Sequence, residues 1–300
     1  MATITSLNSG LVIANFGAAL AVEDEDGQFV RCAARKELPM VVCGDRIMWQ
    51  AHSGGGGVAV SLQPRRNVLS RPDRRGREKP LAANFDRLLI VAAPRPPLQR
   101  QLLDRYLVLA EHVTCEALLV LHKNDLADYR QPPMQELQHY YASLGYPVLS
   151  TNARAPRGLK PLRDALRSHT GILVGPSGVG KSSIVAGLLP DRDVQIGALS
   201  ATSGLGRHTT TATTLYHLPG GGSLIDSPGI RDFPLDNFSP AQIRDGFREF
   251  GKFSAACRFA NCMHLKEPEC AVRAAVGKQI QTQRWQSYQA IVAASRDARR

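Results

Sequence analysis

The sequence predicts an α/β domain built on a parallel sheet, with a small all-β barrel before it and a helical, metal-binding segment after it. Three observations predict this arrangement. Short β-like runs separated by turn signals fill the first 70 residues, apolar strand runs alternate with helical segments from Asp86 to Asp226, and three cysteines cluster with a histidine between Cys257 and Cys270. The first pattern suits a barrel, the second a sheet covered by helices on both faces, and the third a tetrahedral metal site.

Length and composition agree with this division. A chain of 300 residues has room for about two or three domains. Its 43% hydrophobic and 21% charged residues exclude disorder over most of its length. A surplus of 37 Lys+Arg over 26 Asp+Glu gives a net charge of +11 and a pI near 9.7. That sign favours a polyanionic partner, nucleic acid or an anionic membrane, although a merely basic enzyme would carry it too. Met1 to Thr5 lack the basic start of a secretory signal, and no apolar run approaches the roughly 18 residues of a membrane span. Cys32, Cys43 and Cys115 are scattered, whereas the other three cysteines cluster. This usage suits a reducing compartment, so a cytoplasmic protein is expected.

The elements follow in order. Leu11-Val12-Ile13 and the runs 19–22, 29–32, 46–49 and 58–62 read as strands, punctuated by Asp26-Gly27, Gly44-Asp45 and the glycine tract 54–57. They predict an OB-fold barrel over 1–70. A charged, turn-rich stretch, Arg71-Pro72-Asp73-Arg74-Arg75-Gly76-Arg77-Glu78-Lys79-Pro80, predicts a basic linker over 71–84 that could touch phosphates. Strands are expected at 88–91, 118–121, 147–149 and 171–174, with helices near 102–109, 134–144 and 159–166, in a domain spanning 85–234. In the last part, 235–300, Ser239-Pro240 signals a helix start, and helical sequence runs past Trp285, Tyr288 and Ile291 to a basic end.

The strand at 171–174 runs into Gly175-Pro176-Ser177-Gly178-Val179-Gly180-Lys181-Ser182, a phosphate-binding loop followed by Ser183 and an apolar helix. Its glycines let successive N–H groups wrap phosphate oxygens, Lys181 reaches the β- and γ-phosphates, and Ser182 ligates Mg²⁺. Downstream, Leu224-Ile225-Asp226-Ser227-Pro228-Gly229 ends a strand in Asp-x-x-Gly. Asp226 would hold Mg²⁺ through water, and the Gly229 N–H would meet the γ-phosphate. Between them lies Gly204-Leu205-Gly206-Arg207-His208-Thr209-Thr210-Thr211, where one threonine completes the Mg²⁺ shell. The sequence does not separate Thr209, Thr210 and Thr211; Thr210 is the preferred ligand. Ile230 stands where Ras-like enzymes place a water-orienting glutamine, so slow intrinsic hydrolysis is expected. His208 is the candidate to orient the water, with bracing of the loop or partner binding as the other roles open to it.

Upstream of the phosphate loop, Leu121-His122-Lys123-Asn124-Asp125 resembles the guanine-reading Asn-Lys-x-Asp motif. Asp125 would accept two hydrogen bonds from guanine, which adenine does not offer, and the Lys123 stem would cover the ring. His122 departs from the pattern, since a neutral imidazole does not pair a donor with an acceptor as an amide does. Asn152 and Ala153, in Ser150-Thr151-Asn152-Ala153, occupy the place of a loop whose backbone meets the guanine O6. Base readers thus precede the phosphate loop, the reverse of the usual order. The prediction is an α/β P-loop GTPase that is circularly permuted. Finally, Cys257-x4-Cys262-x-His264-x5-Cys270 supplies the ligands of one closed, structural Zn²⁺ site.

Taken together, these motifs resemble the bacterial ribosome small-subunit-dependent GTPase family, RsgA. The resemblance extends to Cys43-Gly44-Asp45-Arg46 and Asp104-Arg105-Tyr106-Leu107 and covers nearly the whole chain. It implies a late-acting assembly factor of the small (30S) ribosomal subunit; a monomer is expected. Such a factor would bind 16S rRNA near the decoding region through the barrel and the zinc segment, with GTP hydrolysis to GDP stimulated by the subunit. Two other readings remain open: a nucleotide-switched RNA-binding module with incidental turnover, and an ATP-dependent P-loop enzyme unconnected with ribosomes.

Overall fold

Alternating burial shapes the first five strands: β1 (Leu7–Asn15), β2 (Leu20–Glu23), β3 (Phe29–Ala34), β4 (Arg46–Ala51) and β5 (Gly57–Leu62). In β4, for example, Ile47 and Trp49 are buried while Arg46 and Ala51 are exposed. The computed structural model describes residues 7–52, 55–73, 77–192, 212–227, 235 and 237–297. Pairing runs β1-β2-β3-β5-β4, and β1 pairs back to β4. The ladder therefore closes into the predicted barrel around Val12, Val22, Ile47 and Trp49. At the turn before β4, the buried Asp45 carboxylate accepts from the Val42 N–H and from Arg65 Nε, each at 2.7 Å.

In the stretch expected as a basic linker, 71–84, residues 71–72 and 78–83 are instead strand. β6 (Val68–Pro72) and β7 (Glu78–Ala83) pair as an antiparallel hairpin. Its root buries Leu69, Ala82 and Ala83, and at its tip Arg77 donates to Asp73 at 3.0 Å. Dense charge at the tip concealed a strand pattern whose apolar positions sit only at the root.

The next strands are β8 (Arg87–Ala92), β9 (Glu116–Leu121), β10 (Val148–Ser150), β11 (Thr170–Val174), β12 (Thr214–His217) and β13 (Ser223–Asp226). They lie in the order β10-β9-β8-β11-β13-β12, parallel except for β12. Helices α1 (Arg100–His112), α2 (Pro132–Ser143), α3 (Lys160–Leu166) and α4 (Lys181–Leu188) connect them. Because both sheet faces are covered, β8 reads as a continuous apolar run. Leu88 and Ile90 join the core with α1 and α2, while Leu89 and Val91 join the core with α3 and α4. The sequence reading did not include β12. It pairs with β13 and also touches β1 at Ala14–Thr214, which joins barrel and parallel sheet into one eleven-stranded sheet.

The last part comprises α5 (Pro240–Asp245), α6 (Gly251–Ser254), α7 (Ala271–Ala275) and α8 (Thr282–Asp297). The expected start at Ser239 is a capping box: the Gln242 N–H donates to Ser239 Oγ at 3.1 Å, and the Ser239 N–H to Gln242 Oε1 at 2.8 Å. Helix α8 is fixed to α1 by Arg284, whose buried fork donates to Glu249 at 2.7 Å and to Asp104. Tyr141 of α2 donates to the same Asp104. Among the described residues, no helix is long and apolar enough to cross a membrane.

Candidate functional site

Parallel strands send their carboxyl ends the same way, so the loops that follow them gather at one edge of the sheet. Register alignments Val174–Ile90, Leu121–Ala92, Ser150–Leu121 and Ile172–Ile225 bring these ends level. The phosphate loop leaves β11, residues 122–125 leave β9, residues 151–153 leave β10, and Asp226 ends β13.

The phosphate loop is shaped by backbone angles that side chains disfavour. Gly175, Gly178 and Gly180 have φ of 140°, 81° and 105°. A Cβ at Gly175 would stand 2.5 Å from the Val91 carbonyl, so β8 packs directly beneath the loop. Gly180 caps α4 in the left-handed conformation and places Lys181 at the first helical position. Lys181 Nζ donates to the carbonyls of Gly175 at 2.6 Å and Pro176 at 2.7 Å, so the ammonium lies over its own loop. Ser177, Ser182 and Ser183 are exposed at the loop and first helical turn, Pro176 is half-buried, and Val179 anchors the loop from below.

On the base-reading side, Lys123 has φ of 60°, and its Nζ donates to the Gly178 carbonyl at 2.7 Å and the Arg95 carbonyl at 2.8 Å. The Asn124 N–H donates to the Thr151 carbonyl at 3.2 Å, linking the two base loops. Asp125 is exposed. Asn152 is buried and directs its side chain at its own loop, where Oδ1 accepts from the Arg154 N–H at 2.9 Å, while Ala153 is half-buried. His122 is buried, with its N–H on the Ala92 carbonyl at 2.7 Å and its Nδ1 2.9 Å from Thr151 Oγ1. Burial, helped by Lys123 and opposed by Asp125, holds its pKa below the ordinary 6.5.

Burial lifts the Asp226 carboxyl above its ordinary 3.8, against the opposing charges of Arg192 and Lys181. Arg192 Nη2 donates to Asp226 Oδ2 at 2.7 Å, and its guanidinium lies over the Tyr216 ring. Sequence reasoning missed Arg192, because an ion pair between distant positions leaves no local pattern. His208, Thr209, Thr210, Thr211, Gly229 and Ile230 lie outside the described residues.

The Cys/His cluster converges as expected. Cys257 and Cys270 sulfurs are 3.9 Å apart, and His264 Nδ1 lies 3.7 Å and 3.4 Å from them. The ligand atoms of Cys257, Cys262, His264 and Cys270 all lie within 4.8 Å of one another. Bond lengths of about 2.3 Å to sulfur and 2.0 Å to nitrogen put tetrahedral ligands roughly 3.5–3.8 Å apart, so the donor set fits one tetrahedral ion. Outer contacts hold the ligands in place: His264 Nε2 is 3.3 Å from Ser254 Oγ, and Cys270 Sγ caps α7 by accepting from the Arg273 N–H at 3.5 Å. Burial raises the Glu267 pKa, but N–H groups of Met263, Leu265 and Lys266 donating to its carboxylate leave it below the ordinary 4.5.

Comparison with known proteins bears on this geometry. The family model described as RsgA GTPase matches residues 62–236. The protein "Small ribosomal subunit biogenesis GTPase RsgA" of Azotobacter vinelandii is 49% identical over 95% of this chain and 85% of its own length. Its namesake from Pseudomonas syringae pv. tomato is 47% identical with the same coverage. The crystal structure of YjeQ from Thermotoga maritima superposes with a TM-score of 0.79 at 28% identity, covering 97% of this chain and 99% of that one. YloQ, "a circularly permuted GTPase", shares the fold at a TM-score of 0.76 and 24% identity, covering 99% and 98%. With a family model spanning more than half its length and relatives this similar along nearly all of it, the chain belongs to the RsgA GTPase family and is a GTP hydrolase of circularly permuted fold.

Proposed function

We propose that this chain hydrolyses GTP to GDP and phosphate as an assembly factor of the small ribosomal subunit, and that binding to the subunit's 16S rRNA stimulates the reaction. One observation carries the nucleotide part: the phosphate loop, both base-reading segments and Asp226 converge at the carboxyl edge of a single parallel sheet. The ribosomal part is supported by the printed names of the relatives and by a net charge of +11, which suits a polyanionic partner.

In this reading Asp125 accepts from the guanine edge, and the stem of Lys123 covers the ring. Backbone N–H groups of 175–182 surround the phosphates, with Lys181 supplying a charge that follows the γ-phosphate into the transition state. Ser182 and Thr210, with Asp226 through water, would hold Mg²⁺, which neutralises charge on the phosphates when bound. Gly229 reports the γ-phosphate to the C-terminal part, and His208 orients the attacking water in place of the missing glutamine. Cys257, Cys262, His264 and Cys270 hold one structural Zn²⁺ with no open position for chemistry. The barrel over 1–70 and the zinc part over 235–300 flank a GTPase domain over 85–234. The protein works as a cytoplasmic monomer.

The test is GTP turnover with and without isolated small subunits, with ATP as competitor. Stimulation of at least about tenfold, with little competition from ATP, is expected. Turnover unchanged by subunits would favour the nucleotide-switched RNA-binding module, to which Ile230 lends weight. Equal binding of ATP and GTP would remove Asp125 from base reading.

A further inference from the structure

The geometry points to His122 as a positioning residue that bolts the base-reading segments to the phosphate loop and takes no part in reading the base itself. This inference rests on the nucleotide pocket proposed above. The residue is only 3% exposed; its backbone is held on one side and its ring on two others. Its backbone N–H donates to Ala92 at the end of β8, and its Nδ1 meets Thr151 Oγ1 at 2.9 Å in the loop after β10. Its opposite edge fills the space that a side chain at Gly180 would need: a Cβ built there would stand 2.5 Å from Cδ2 and 2.9 Å from Nε2. One ring therefore touches the phosphate loop and the second base loop at once. Asp125, three residues on, is exposed, so the bracing group and the group facing the ligand are different residues.

An amide at this position would reach less far than a ring. The histidine spans from Thr151 to Gly180 with one planar group, and the left-handed glycine is what admits it. Lys123 adds a second tie from the same segment, through its ammonium on the Gly178 carbonyl at 2.7 Å. A guanine nucleotide needs base readers and phosphate amides at one fixed separation. Loosening the brace makes the ligand order both loops itself, which weakens ground state and transition state alike. Loss of the His122–Thr151 contact should therefore raise KM and leave kcat nearly unchanged. Preference for guanine should persist, because Asp125 is untouched.

The test measures dissociation constants of GDP and ADP, with KM and kcat for GTP, in the parent chain, His122→Phe, Thr151→Val and the double variant. His122→Phe keeps a ring against Gly180 and removes only the polar contact, and Thr151→Val removes it from the other side. Each single variant should bind GDP about five- to tenfold more weakly, the scale of one hydrogen bond, and the double variant no more weakly than either. Singles that bind like the parent, a double variant with multiplied losses, a kcat that falls with affinity, or a lost preference for GDP over ADP would each overturn the proposal. A parent chain that binds no GDP would instead overturn the nucleotide pocket on which it rests.

Discussion

Lys181 opens the helix after the phosphate loop and Asp125 follows β9, and each should fail in its own way when truncated. Lys181 places its ammonium on the carbonyls of Gly175 and Pro176, where it is poised over the phosphate loop. Lys181→Ala should cost about 1.5–3 kcal/mol of triphosphate binding and abolish turnover, read by calorimetry and phosphate release. Asp125→Ala should lower GTP affinity by roughly a hundredfold while ATP affinity barely changes, because only guanine offers the donors that the carboxylate accepts. His122 gives a pH signature. Its folded pKa is depressed below 6.5 by burial and Lys123, so the unfolded chain takes up the proton first as pH falls. The stability this neutral ring contributes is intact above 6.5 and is lost progressively below it. The urea midpoint of the parent should thus drop more between about pH 7.5 and about pH 5.5 than that of His122→Asn, which has no proton to gain. At this scale the sequence was informative wherever chemistry repeats in a fixed string, as in Gly175 to Ser182. It was silent on what His122 touches, because Thr151 and Gly180 come near it only through the fold.

Elements were legible where burial imposes a period. The continuous apolar runs of β8, β9 and β11, and the Ser239 start of α5, appear in the structure where the pattern put them. The hairpin β6–β7 was hidden by charge, and β12 by its shortness and its antiparallel place beside β13. The Cys/His segment shows the reverse case, since ligand spacing announced the cluster although the helices next to it, α6 and α7, are too short to read. Its order should depend on the ion, because short helices such as α7 have little apolar area of their own. Cys262→Ser, or a strong chelator, should remove about one zinc per chain and raise amide exchange in 257–276, read by atomic absorption and hydrogen exchange. Unaltered metal content would contradict the ligand set. The tie between α8 and α1 makes a separate prediction. Arg284→Ala leaves Asp104 and Glu249 buried without their cation and should destabilise the chain by about 3–5 kcal/mol in urea. A loss below about 1 kcal/mol would show that the buried pair contributes little.

Across the whole molecule, permutation changes the order of the motifs along the chain and leaves their places at the sheet edge intact. The base readers follow β9 and β10, the phosphate loop follows β11, and Asp226 ends β13, with β8 between base and phosphate sides. The permutation was readable because each motif carries its own chemistry. The joining of the barrel to the sheet through Ala14–Thr214, and of α8 to α1 through Arg284, was not, since both depend on contacts between distant residues. These ties connect both flanking parts to the domain whose strand ends gather at that edge. The most direct test of that edge is a crystal structure with Mg²⁺ and a non-hydrolysable GTP analogue. The account predicts the guanine edge on the Asp125 carboxylate and the phosphates within the 175–182 amides, with the Asp226 carboxylate on the Mg²⁺ side. A purine bound away from Asp125, or phosphates lying elsewhere than at Lys181, would contradict it.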